Sequence, residues 1–209
     1  MKVTKIKGLC KAEKKCMIYE MDRYRLIGTT NVAYPAENLA ITTEGVGTLF
    51  DWPDVEEDIT VDAMMFPESQ LYPNTQYCSK EHELSVGFSI NYLGEEIVPL
   101  CCQEGVFFIR GVYKDAAEKK EGYDRYYLAR NVEGEPLVML SDGLMAPAVI
   151  KPLPRKTAAE ICNYLCRIGE MPAQGWTREE GKTEEAQLKG QINMDEMMEE
   201  GATGGNQGD

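Results

Sequence analysis

Between residues 84 and 92 the chain alternates. Leu84, Val86, Phe88 and Ile90 are apolar, and Ser85, Gly87, Ser89 and Asn91 separate them. A period of two marks a β-strand with one buried face, and this is the clearest such signal in the chain. The other apolar runs are as short and end at turn-forming residues. Residues 16–21 and 24–27 read as two strands joined by a tight turn at 21–23. Residues 32–34 form a third, stopped by Pro35, and residues 59–66 a further one. After 84–92, Gly94-Glu-Glu turns the chain into 97–102, and Gly105 leads into 106–109. Strands at 123–132, 136–140 and 144–153 follow, with turns at Glu133-Gly134 and Asp142-Gly143. Asp-Gly is a strong hairpin signal.

Helical periodicity is sparser. A short strand at 2–4 leads into a helix at 5–15, with Ile6, Leu9, Cys10 and Ala12 on its apolar face. Lys7, Lys11, Lys14 and Lys15 form its solvated side. Residues 43–50 read as a short helix capped by Thr42 or Thr43, weakened by Gly45 and Gly47. Residues 111–120 allow another. Thr157 caps a helix ending near Gly169, with Ala158, Ile161, Cys162, Leu165 and Ile168 as its stripe. The expectation is an α+β fold, largely antiparallel sheet with two or three helices.

With 43% hydrophobic and 27% charged residues, a packed core is expected. It spans 1–172, with 1–66 and 80–172 as two halves around a connection marked by Pro67, Pro73 and Asn74. Residues 173–209 are rich in Glu, Gly, Gln and Thr, a composition that does not repay the entropy of ordering. They are expected to form a disordered acidic tail. Its one apolar island, 192–198, is a candidate docking motif. Gln191-x-x-Met194 resembles clamp-binding peptides, without their aromatic pair.

No apolar run approaches the roughly 20 residues of a membrane span. The basic N-terminus has no apolar region of a secretory signal. The seven cysteines are odd in number, and Cys101 and Cys102 are adjacent, which suits free, mostly buried thiols in a reducing compartment. A cytoplasmic protein without membrane contact is expected.

The net charge of −13 is unevenly spread. Residues 1–26 carry net +5, whereas residues 27–79 hold nine acids and no Lys or Arg. Such a stretch offers no counterion release to phosphates. It presents the charge pattern of nucleic acid to a basic partner, or serves solubility alone.

No catalytic constellation stands out. The single histidine, His82, lies in a polar segment. No P-loop or Rossmann fingerprint is present. Cys78, His82, Cys162 and Cys166 match no standard zinc spacing, and core cysteines are the expectation. A magnesium site at Asp51, Asp54 and Asp58 is weaker than a solvated loop. No metal or cofactor is expected. Tyr113, Tyr123, Tyr126 and Tyr127 interleave with Arg110, Lys114, Lys119, Lys120, Arg125 and Arg130. That pattern suits a stacking surface for single strands. On strand spacing, half of the cluster belongs in the core.

Met1-Lys-Val-Thr-Lys-Ile-Lys, Tyr24-Arg-Leu-Ile-Gly-Thr-Thr-Asn-Val-Ala-Tyr-Pro, the Thr48-Leu-Phe-Asp turn and Leu144-Met-Ala-Pro-Ala-Val-Ile-Lys-Pro resemble a group of uncharacterised phage and prophage proteins of gut bacteria. The likeness covers about residues 1–155 and implies a mobile-element origin without an activity. The order strand, helix, three strands, short helix, strand is similar to the start of a sliding-clamp domain, and 146–152 to its closing strand. A clamp also needs a basic face on its helices, and the helix after Thr157 carries only Arg167 within its body. The expected function is a non-catalytic accessory protein that binds a host protein, as an acidic anti-defence inhibitor imitating nucleic acid would. Asp51, Asp54, Glu56, Glu57 and Asp58 are its candidate contacts. The alternative is a clamp-like replication accessory that meets nucleic acid through Lys7, Lys11, Lys14 and Lys15. A second alternative is an enzyme of unrecognised kind.

Overall fold

The computed structural model describes residues 2–22, 24–36, 41–52, 59–74, 82–117, 124–142 and 145–170. The expected tail, 173–209, lies outside them. The chain divides into two units, Met1–Ala159 and Glu160–Asp209.

The first unit opens with α1 (Val3–Glu13) and three strands, β1 (Lys15–Glu20), β2 (Arg25–Gly28) and β3 (Val32–Pro35). A short α2 (Gly45–Leu49) and β4 (Thr60–Met65) follow, then a 3-10 turn at Phe66–Glu68. The rest comprises β5 (Glu83–Val86), β6 (Ile90–Tyr92), β7 (Glu95–Cys102), β8 (Gly105–Arg110), α3 (Gly111–Ala116), β9 (Asp124–Arg130), β10 (Pro136–Asp142) and β11 (Met145–Ile150). The helix α4 (Arg155–Glu170) begins in the first unit. The described part of the second unit is the remainder of α4, along which Cys162, Cys166 and Ile168 stand exposed. The expected stripe therefore includes two solvent-facing members.

The strands form one 11-stranded sheet in the order β4-β1-β2-β3-β11-β10-β9-β5-β7-β6, with β8 on β7. Among the described residues only β4, beside β1, pairs in parallel. The fold is α+β, as expected, with four α-helices among the described residues. Its centre repeats itself: α1 and then β1-β2-β3, α3 and then β9-β10-β11, each a helix followed by an antiparallel meander. The two meanders meet where β3 pairs antiparallel with β11, Ala33 opposite Val149.

Both faces of its central strands are buried. One carries Cys16, Ile18, Ile27, Tyr34, Leu128, Val138 and Ile150 and packs against Ile6, Leu9 and Cys10 of α1 and Tyr113 and Ala116 of α3. The other carries Met17, Tyr19, Leu26, Ala33, Ala129, Leu137 and Val149, covered by Phe66 and Leu71. Strands buried on both faces read as continuous apolar runs, as 16–19 does. Asn131, itself buried, holds that second layer down. Its side-chain oxygen accepts from the Glu133 and Glu135 amides, and its Nδ2 donates to the Gln70 carbonyl at 3.2 Å.

Several expectations change. Thr157 lies inside α4, which starts at Arg155, because the Pro154 carbonyl already accepts from the Ala158 amide. Val3 and Thr4 are helical, because the Lys2 carbonyl already accepts from the Lys5 and Ile6 amides. At its other end α1 stops at Glu13: Lys14 turns left-handed (φ 53°) and Lys15 begins β1. The 84–92 run is broken into β5 and β6. Pro99 of β7 lies opposite and has no N–H to donate, and its carbonyl accepts from Gly87. Phe88 is left 94% exposed, where period-2 reasoning places it on the buried face.

Candidate functional site: a basic helix layer and an adjoining cleft

The sheet topology brings α1 and α3 side by side on one face. The Lys2 amide donates to the Ala116 carbonyl at 2.9 Å, and Lys5 lies 3.9 Å from Asp115. With Ile6, Leu9 and Cys10 turned into the core, α1 presents Thr4, Lys5, Gly8, Lys11 and Ala12 outward. Lys2 and Lys14 flank it, also exposed. The single acid within α1, Glu13, is turned toward α3. Its carboxylate accepts from the Tyr113 hydroxyl at 2.6 Å and from Asn31 Nδ2 at 2.9 Å. The outward surface of α1 is therefore a cationic strip on a protein of net charge −13.

Tyr113 belongs to a wider polar chain. The Tyr34 hydroxyl, buried, donates to the Tyr113 carbonyl at 2.7 Å. Arg110, the residue before α3, grips Glu95 through Nε at 2.8 Å and through Nη2, and its guanidinium lies 5.9 Å from the Tyr113 ring centre. This fork holds the Glu95 carboxyl below its usual range. Burial, and then the bond to Glu13, push the Tyr113 phenol up to about 12.

Beside this chain opens a cleft of about 470 Å³. Glu95, Ile97 and Arg110 form one wall, and Lys151, Pro152, Leu153 and Pro154 another. Tyr92 and Leu93 stand at its β6–β7 end. The Leu153 amide donates to the Phe108 carbonyl at 2.8 Å, which fastens the proline-flanked segment along β8. Lys151 Nζ donates to Gln70 Oε1 at 3.0 Å and pairs with Glu135 at 3.3 Å.

The sequence candidates are partly dispersed. Lys7 donates to the Asp51 backbone carbonyl at 3.1 Å. Lys15 is off the helix and pairs with Asp62 at 3.0 Å. Lys11 and Lys14 remain on the outward side. Lys7, Lys11, Lys14 and Lys15 are thus not one helical face, because the left-handed turn at Lys14 reverses the chain. Lys2 and Lys5 join the strip in their place. Of the acidic set, Asp51 is described and exposed. Asp54, Glu56, Glu57 and Asp58 lie outside the described residues, as does the magnesium arrangement that needs them.

The tyrosine–arginine cluster is taken apart by the sheet. Tyr126 is buried, Arg125 lies 3.8 Å from Glu83, and Arg130 pairs with Glu104. Of the described members, Arg110 and Tyr113 come together, and Lys119, Lys120 and Tyr123 lie outside the described residues. Asn31, Glu95 and Lys151 were missed, since nothing local marks residues that meet only through β3, β7 and β11.

Cys10 and Cys16 are buried, Cys101 and Cys102 half-buried, and Cys162 and Cys166 exposed. The expectation of mostly buried thiols holds for the first pair alone. A hydrogen bond with Cys16, together with burial, drives the Cys10 thiol far up, which favours its protonated form. Cys78 lies outside the described residues. Among the described residues no three His, Cys, Asp or Glu side chains converge on a metal-sized site. No described helix is long and apolar enough to cross a membrane. No family model matches this chain, and neither does any curated protein or solved structure.

Proposed function

We propose that this chain is a non-catalytic binding protein whose α1–α3 layer faces nucleic acid, in the manner of a sliding-clamp domain. One observation carries the reading. Two helix-and-meander units join at β3–β11 and set α1 beside α3 on one face, with the lysines of α1 outward. Cations on a firm helical surface bind phosphates without reading bases. Encircling a duplex would take several copies in a closed ring. The helix paired with α1 in this arrangement is the short α3.

The test is binding of a fluorescent duplex by anisotropy across a salt series, for the full chain and for Lys5→Gln, Lys11→Gln and Lys14→Gln combined. The wild type binds at low salt, and affinity falls steeply as salt rises. The triple variant loses at least tenfold in affinity, and its log–log salt slope drops by about 0.9 for each phosphate contact removed. A wild type that ignores DNA at low salt, or a triple variant that matches it, refutes the reading.

The absence of any Lys or Arg from 27–79 favours a second reading, an acidic mobile-element protein that occupies a basic host protein. Changing Asp51, Asp54, Glu56, Glu57 and Asp58 to Asn or Gln then abolishes capture of that partner and leaves DNA binding untouched.

A further inference from the structure

We propose that Cys162 and Cys166 of α4 hold a zinc ion between two copies of this chain, each copy supplying two of four thiolates. The site shares no residue with the outward α1 strip and goes beyond the DNA reading.

Exposure is the first sign. An unpaired cysteine packs like a small hydrophobe and is among the most buried residue types. Cys10 and Cys16 follow that rule at 0% exposure. Cys162 and Cys166 do not. Both face solvent, although Ile161 of the same helix is buried. Core packing therefore does not account for them.

Spacing is the second. Cys162 and Cys166 stand four residues apart within one helix, so their side chains leave the same face, one turn above the other. Helical neighbours at this spacing hold their Cβ atoms about 5–6 Å apart. A disulfide needs roughly 3.5–4.5 Å, so the pair stays a dithiol while the helix is intact. A metal ion spans the gap. Zn–S bonds of about 2.3 Å set the sulfurs of a tetrahedral centre roughly 3.8 Å apart, within reach of two such side chains.

Two thiolates fill half of that centre. Structural zinc is four-coordinate, and four cysteines are one of its standard ligand sets. Among the described residues no third His, Cys, Asp or Glu side chain joins the pair. A second α4 brings the missing two. Charge agrees with this occupant. Four thiolates on a divalent ion leave two negative charges. Arg155, Lys156 and Arg167 outnumber Glu160 and Glu170, so each α4 carries one net positive charge, and two helices balance the centre. Copies of a chain of net charge −13 otherwise repel one another.

The experiment loads the reduced full chain with zinc, removes unbound metal by desalting, and measures bound zinc and molar mass. One ion is retained per two chains. The molar mass is twice that of the EDTA-treated chain. Cys162→Ser and Cys166→Ser each lower zinc affinity at least tenfold and abolish the doubling. Cys101→Ser, at a half-buried thiol of β7, changes neither. In the wild type, zinc slows alkylation of Cys162 and Cys166 by iodoacetamide, read by peptide mass spectrometry. No retained zinc, one ion per chain without a change in mass, or binding that survives both serine changes together overturns the proposal. If a serine variant melts early, alkylation of the wild type decides: unchanged rates at both cysteines in the presence of zinc overturn it.

Discussion

The Tyr113 hydroxyl donates to the Glu13 carboxylate at 2.6 Å, joining α3 to the end of α1 across 100 residues of sequence. A charged acceptor makes this a strong hydrogen bond, and Tyr113 is 3% exposed. Tyr113→Phe removes it and leaves Glu13 with Asn31 alone. We expect a loss of about 1–2 kcal/mol in urea unfolding. A midpoint unchanged from wild type would show that the two helices are held by their apolar contacts only.

The same tyrosine gives a pH signature. In the folded chain its phenol titrates near 12, against an ordinary value of 10.0. Below pH 10 it is protonated in both states. Between pH 10 and 12 only the unfolded chain releases the proton, so stability falls as pH rises through that window. Tyr19 and Tyr34 are raised by burial and act in the same direction. Tyr113→Phe should therefore make the decline shallower without abolishing it, as read from denaturation midpoints at stepped pH.

Gly28 closes the approach of β2 to β3. A Cβ there would lie 1.9 Å from the Val32 carbonyl oxygen, a backbone atom that the strand pairing holds in place. Gly28→Ala should cost about 3 kcal/mol or more, or prevent folding. Near-wild-type melting of this variant would contradict the β2–β3 register.

Leu93 sits at φ 52°, a left-handed conformation that a leucine adopts at a cost of roughly 1–2 kcal/mol. With Gly94 at φ 83° it forms the tight β6–β7 turn, in which Asn91 accepts from the Gly94 amide. Asn-Gly is the preferred pair for such a turn. Leu93→Asn is expected to raise stability by about 0.5–1 kcal/mol, since the 87%-exposed leucine loses little burial. A destabilised variant would mean that Leu93 is covered in solution.

Leu137 and Val138 are neighbours in β10 on opposite faces of the sheet, and both are buried. Leu137→Ala should cost about 2–5 kcal/mol, and Val138→Ala a substantial fraction of that. A sheet with one wet face would tolerate the first change.

Much of the fold was legible in the chain itself. Turn residues at Gly94, Gly134 and Pro35 bound the strands where the backbone demands a left-handed φ or ends a ladder. The spacing of Ile6, Leu9 and Cys10 gave the buried side of α1, and Thr42 indeed accepts from the Gly45 amide ahead of α2. Local conformational preference and periodicity are written residue by residue, so they survive without a fold. The site was another matter. The outward lysines were read as Lys7, Lys11, Lys14 and Lys15, and only the reversal at Lys14 shows that Lys15 pairs with Asp62 across β1–β4. The alternation at 84–92 looked like a buried face until Pro99, on another strand, broke its ladder. Asn31, Glu95, Arg110 and Lys151 line one cleft although up to 120 residues separate them. Which strand lies next to which is decided by packing both faces of the sheet at once, and that balance is a property of the whole chain. Composition and turn chemistry determined that this protein is a sheet with helices; tertiary pairing alone decided which of its charges share a surface.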